Sequence, residues 1–180
     1  MVDRDLRVLG HSPRVVRPPT FANALVQNIA PGCSMVLNRA AWRLLTKHPP
    51  GPAVPVHDWW AYLVVSAFGR VVYDSESYLL YRQHAGNTIG EATGFYRKWR
   101  RRLHRFLTQS DRRVITGQAR EFQRLYGHLL APAQAAMLNE FLHHGSRIWD
   151  RVRYALRSPV YRQSRVDDLI LRCLVVLDRV

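Results

Sequence analysis

Residues 57–82 read HDWWAYLVVSAFGRVVYDSESYLLYR, and the parsing of this stretch decides the fold. Asp58 stands where a helix N-cap belongs, with a carboxylate suited to the orphan amides of a first turn. Trp59 to Phe68 follow with apolar residues almost all round, the pattern of a helix buried on most sides, and Gly69 marks its end. Beyond it, Arg70-Val71-Val72-Tyr73 and Tyr78-Leu79-Leu80-Tyr81-Arg82 are rich in β-branched and aromatic residues, with polar Asp74-Ser75-Glu76-Ser77 between them. The stretch therefore predicts a buried helix feeding two strands, and with them an α/β domain.

Toward the N-terminus the same alternation continues. Leu6 to Leu9 reads as a short strand, and Pro13, Pro18 and Pro19 hold the next segment extended. Phe21 to Asn28 suits a short helix, with Phe21 and Leu25 on one face. After a turn at Pro31-Gly32, the apolar run Cys33 to Leu37 suits a buried strand. Arg39 to Lys47 has helical spacing in Ala41, Leu44 and Leu45, and His48-Pro49-Pro50-Gly51-Pro52 ends it. Toward the C-terminus, a glycine-bearing loop from His84 to Gly94 leads into a different regime. Phe95 to Leu107, Ser110 to Gly127, Pro132 to His144, Ser146 to Arg157 and Arg165 to Val180 all predict helices. The expected organisation is an α/β part over residues 1–94 and a basic helical extension over 95–180.

The 180 residues carry a formal charge of +14 from 27 basic and 13 acidic side chains. Only Lys47 and Lys98 among the basic residues are lysines, so the total speaks to solubility and association more than to a particular ligand. Its distribution says more. Residues 97–124 hold 10 basic and 2 acidic side chains, more than half of the surplus, opening with Arg97-Lys98-Trp99-Arg100-Arg101-Arg102. Such a run prefers an anionic partner; a solvated helix face or an anionic membrane surface fits it better than nucleic acid, because no base-reading signature accompanies it. The last predicted helix is amphipathic, equally suited to docking on the domain or lying at a membrane surface. Cys33 and Cys173 are the only cysteines and share no metal or disulfide spacing. No run reaches the roughly 18 to 20 apolar residues of a membrane span, and the charged N-terminus lacks a signal-peptide core. A cytoplasmic place, peripheral at the inner face of the membrane, is expected.

His57-Asp58-Trp59-Trp60 sets a carboxylate at a helix start between an imidazole and two indoles. Such a carboxylate either caps the helix or serves as a general base. Arg82 and His84 sit where a predicted strand enters the glycine-bearing loop, one a cation and the other a metal-competent imidazole. The turn at Gly32, Cys33 and Ser34 brings backbone close to whatever lies above it, because glycine has no Cβ. His143 and His144 are neighbours on a helix, so they point about 100° apart and are poorly placed to chelate one ion.

Taken in order, these islands resemble a known family. Asn23-Ala24-Leu25-Val26-Gln27-Asn28, Pro31 to Arg39, His57-Asp58-Trp59-Trp60, Ser66-Ala67-Phe68-Gly69, and Tyr81-Arg82-Gln83-His84 with Asn87 and Gly90 are similar to the acceptor half of family 2 glycosyltransferases, particularly bacterial rhamnosyltransferase-like members. The resemblance implies a GT-A, Rossmann-like α/β fold and an inverting transfer of a sugar such as rhamnose from a nucleotide-sugar to a saccharide or lipid-linked acceptor. It implies Asp58 as the catalytic base, and Gly32, Cys33, Ser34, Trp59 and Trp60 on the acceptor side. It also implies Arg82 and His84 at the donor diphosphate, with His84 helping to hold a divalent Mg or Mn. The one Asp-x-Asp, Asp3-Arg4-Asp5, resembles a segment well after the family's metal-binding motif. The expectation is thus an incomplete GT-A domain lacking its donor-binding half, read from an internal Met1 in preference to a pseudogene or a split enzyme. Such a chain is expected to be inactive alone; the alternative is a catalytically inactive remnant, or a peripheral membrane or anion-binding module that uses the arginine-rich helices.

Overall fold

In a computed structural model the chain is described over residues 1–29, 31–82 and 109–180, the side chains of 109–113 excepted. Seven α-helices occur among the described residues: α1 (Phe21–Ala24), α2 (Arg39–Lys47), α3 (His57–Phe68), α4 (Gln109–Tyr126), α5 (Pro132–Leu142), α6 (Ile148–Arg157) and α7 (Arg165–Val176). Single turns of 3-10 helix lie at Gly32–Ser34 and Gly127–Leu129. There is no sheet among the described residues, only isolated bridges that pair Val2 with Val8 and with Arg82.

Over the described residues the architecture is all-α, which corrects the α/β, Rossmann-like GT-A expectation. The reason is pairing. A run such as Arg70 to Tyr73 has the composition of a strand, but a strand persists only where a neighbouring backbone takes its amides and carbonyls. Here that happens around one residue. Val2 donates its amide to the Tyr81 carbonyl at 2.9 Å, while Asp3 and Leu9 donate to Arg7 and Met1 across the other side. Val2 is 1% exposed as a result. The remaining strand-like runs lie extended and open, with Val72, Tyr78, Leu79 and Leu80 each at least half exposed. Cys33 to Leu37, expected as a buried strand, is a 3-10 turn followed by extended chain on which Val36 is almost wholly exposed.

The helical expectations fare differently. α2 begins after Asn38, whose side chain accepts from the Ala41 amide at 2.8 Å, and turns Leu44 and Leu45 toward the core. α1 is shorter than the sequence suggested, one turn capped by Thr20. α3 begins one residue before Asp58, with Val56 at the N-cap making no side-chain bond, so Asp58 belongs to the first turn and is not the cap. Its near-uniform apolarity buries Trp60, Ala61, Tyr62, Leu63, Val64 and Ala67. The predicted helix Phe95 to Leu107 lies outside the described residues.

One core joins α1 and α3 to the later helices. Phe21, Trp60 and Phe68 meet Phe122 and Tyr126 of α4, with Phe21 and Phe122 centroids 5.4 Å apart and Phe122 stacked on Tyr126 at 5.5 Å. Leu138 and Phe141 of α5, Tyr154 and Ala155 of α6 and Leu171 and Val175 of α7 complete the same cluster. The Tyr126 hydroxyl donates to the Leu44 carbonyl at 2.9 Å, satisfying a buried polar tip and anchoring α2. This packing fixes the start of α3 against the turn at Gly32.

Candidate functional site

The site grows from the first turn of α3. Helix N-termini present amides with no intrahelical partner, and a carboxylate placed there is favoured by both hydrogen bonding and the helix dipole. The two oxygens of Asp58 divide this work. Oδ1 accepts from the Trp59 amide at 2.7 Å, and Oδ2 accepts from the Gly32 amide at 3.0 Å. The second bond spans 26 residues of sequence and draws the Gly32–Ser34 turn against the helix start. Asp58 is 8% exposed, so backbone donors hold the carboxylate in one orientation at the edge of the core.

Gly32 brings backbone close to the start of α3, and a side chain there would displace the His57 ring. A Cβ at this position would stand 2.7 Å from His57 Nε2 and 3.5 Å from Asp58 Cβ. The exposed His57 ring thus lies over the turn, a positional role. Cys33 and Ser34 are exposed beside it, and Ser34 Oγ donates back to the Pro31 carbonyl at 2.8 Å. The two indoles separate. Trp59 is partly exposed and donates Nε1–H to the Ala24 carbonyl at 2.7 Å, tying the site to α1. Trp60 is 3% exposed and packs on Phe122 and Tyr126, so it belongs to the core and not to a surface a sugar can touch.

The structure therefore gathers Gly32, Cys33, Ser34, His57, Asp58 and Trp59. Arg82 is exposed and lies beside Val2 in the small bridged cluster. His84, expected at the diphosphate and the metal, lies outside the described residues. Among the described residues no three His, Cys, Asp or Glu side chains come together as a metal would require. Asp3, of the sequence's Asp-x-Asp, spends Oδ1 on the amides of Asp5 and Arg7, both at 2.9 Å, in an exposed turn.

Sequence reasoning missed a polar cluster next to the site. Asn23 is completely buried; its Oδ1 accepts from the Tyr62 hydroxyl at 2.9 Å and from Gln163 Nε2 at 3.3 Å, and its Nδ2 donates to the Tyr161 carbonyl at 2.8 Å. Burial, with the nearby Tyr161 adding to it, pushes the Tyr62 phenol well above the ordinary tyrosine range. The available signal was an asparagine set within the otherwise apolar run Phe21-Ala22-Asn23-Ala24-Leu25-Val26, a position that demands partners once the run is buried.

Compared with known protein families, with curated proteins and with solved structures, the chain matches none.

Proposed function

We propose that this chain carries the acceptor side of an inverting sugar transferase, with Asp58 as general base. The observation that carries this reading is the bond from the Gly32 amide to Asp58 Oδ2 at 3.0 Å, which unites two of the sequence islands behind the resemblance in one exposed-edged constellation. A carboxylate offers about four lone-pair sites. The amides of Gly32 and Trp59 take two, leaving capacity for an acceptor hydroxyl approaching past Cys33 and Ser34, with Trp59 beside it.

In the proposed step the acceptor oxygen bonds to the anomeric carbon as the bond from that carbon to the donor's diphosphate breaks. The bonding pair leaves on the diphosphate, and the hydroxyl proton passes to Asp58. Such a displacement needs a base opposite the leaving group and positive charge at the departing diphosphate. Arg82 and His84 are the residues proposed for that charge, and the acceptor is a saccharide or a lipid-linked saccharide.

Two measurements test the reading. Saturation-transfer NMR of the chain with a panel of mono- and oligosaccharides is expected to show contact; no contact with any of them overturns the acceptor assignment. In a transfer assay with nucleoside diphosphate sugars, on the longest form of the enzyme that turns over, Asp58→Asn is expected to lower kcat by about 100-fold or more. The asparagine keeps one acceptor oxygen but sets its NH2 against either the Gly32 or the Trp59 amide, so unchanged saccharide contact by the variant is needed to separate loss of the base from a loosened turn. Unchanged turnover excludes Asp58 as the base.

A further inference from the structure

Helices α6 and α7 form an antiparallel pair. Arg151 faces Asp178 at 3.6 Å, while Arg172 of α7 donates to the Ala155 carbonyl of α6, and the two contacts run in opposite chain order. Their buried faces, Tyr154 and Ala155 on one and Leu171 and Val175 on the other, belong to the same core, so their opposite faces both look outward.

Those outward faces are not polar. On α6, Trp149 and Leu156 are each 78% exposed, and Arg153 lies between them at helical spacing on the same ridge. On α7, Leu169 and the following Leu177 are 63% and 64% exposed. Isolated exposed apolar side chains are ordinary, but large ones repeated at helical spacing along both members of one hairpin make a surface that some partner covers. The charge around it has one dominant sign. Arg147, Arg153, Arg157, Arg165 and Arg179 are exposed here, against Asp150 and Asp178, and Asp178 is already paired with Arg151.

We infer that the outward face of the α6–α7 hairpin docks on an anionic phospholipid bilayer. The chemistry favours an anionic bilayer over a second copy of this chain, because five exposed arginines against two aspartates, one of them already paired, would set like charge against like in a self-contact, and the ridge interleaves Arg153 with its two most exposed apolar residues. A bilayer accepts that mixture. Indole and leucine tips enter the headgroup–acyl boundary, and long arginine stems lie along it with their guanidinium groups at lipid phosphates. No helix among the described residues is long and apolar enough to cross a membrane, so the contact is peripheral. It stands independently of the sugar-transfer reading.

The test is co-flotation of the full chain with vesicles of phosphatidylcholine alone and of phosphatidylcholine containing about a third phosphatidylserine. The chain is expected to float with the anionic vesicles and less so as salt rises. The triple variant Trp149→Ala, Leu156→Ser, Leu169→Ser, which leaves the arginine-rich segment around residues 97–124 intact, is expected to bind at least about fivefold more weakly. The variant Arg153→Glu, Arg157→Glu, whose side chains are exposed and leave the core untouched, is expected to lose the preference for anionic lipid. Absence of flotation by the wild-type chain, or undiminished binding by both variants, overturns the proposal. So does a concentration-dependent dimer in sedimentation that the triple variant abolishes without any vesicle binding, since the face would then be a contact between copies.

Discussion

Glu121 shows how a single side chain fastens distant chain. Its Oε1 accepts from the Gly51 amide at 2.8 Å, closing the proline-rich segment onto α4, and both its oxygens receive the Arg124 guanidinium at 2.7 and 2.8 Å. The Arg124 hydrogen bonds above all hold its carboxyl down at about 2, with the Gly51 amide adding to them and partial burial opposing. A carboxyl depressed on folding contributes stability that is complete above its unfolded value and is lost as pH falls through its folded one. Glu121→Gln is therefore expected to lower stability at pH 7 by roughly 1–2 kcal/mol, the worth of charge-assisted bonds near a surface. The difference between wild type and variant should shrink below about pH 4.5 and vanish near pH 2. Thermal unfolding followed at pH 7, 4 and 2.5 checks this, and a gap independent of pH would show that the carboxylate charge is not what matters. At this same scale the candidate site was half legible. An aspartate at a helix start and a glycine turn are visible in sequence, but nothing local says that Gly32 meets Asp58 or that Trp60 turns inward while Trp59 stays at the rim.

Helices declare themselves through local signals, and strands do not. Asn38 before an apolar 3–4 spacing, Pro132 at the first position of α5 and Ser164 before Asp167 all act within a few residues of themselves, and each marks a helix that is present. The runs at 70–73 and 78–82 carry equally clear composition, yet composition is only fitness for a pleated surface, and the surface is made by another segment. Among the described residues that segment reaches only Val2. α2 offers the cleanest test of local signals, because it has no fully buried residue of its own. It rests on its Asn38 cap, on the packing of Leu44 and Leu45, and on the Tyr126 hydroxyl. Asn38→Ala should cost about 1 kcal/mol, and the loss should be read mainly in the α2 amides. Native-state hydrogen exchange is expected to accelerate over Arg39–Lys47 while α4 keeps its protection. Equal acceleration in α4 would mean that α2 does not open separately from the core.

On the scale of the whole chain, the first residues are held to the last by polar groups, not by apolar packing alone. Gln163 is 9% exposed; its Oε1 accepts from the amides of Val16 and Arg17 at 3.0 and 2.8 Å, and its Nε2 donates to the Arg17 carbonyl and to Asn23 Oδ1. Its own amide donates to Gln27 Oε1 at 2.7 Å, while the Tyr161 hydroxyl reaches Thr20 Oγ1 at 2.8 Å and Arg17 lies over the Tyr161 ring. The ends so joined are about 140 residues apart. A buried network of this kind gains little per bond against water but costs heavily when one member is removed, because the others are left desolvated and unpaired. Gln163→Leu leaves two backbone amides, one carbonyl and part of Asn23 without partners, and is expected to destabilise by about 2–4 kcal/mol. Asn23→Leu unpairs the Tyr161 carbonyl and leaves the Tyr62 hydroxyl only its longer bond to the Thr20 carbonyl at 3.4 Å, and should cost a similar amount. Since both act on one network, the double variant should lose less than the sum, by about 1 kcal/mol or more. Urea unfolding of the four proteins measures the coupling. Additive losses would mean that Asn23 and Gln163 serve separate neighbourhoods and that the two ends of the chain are tied by the aromatic core alone.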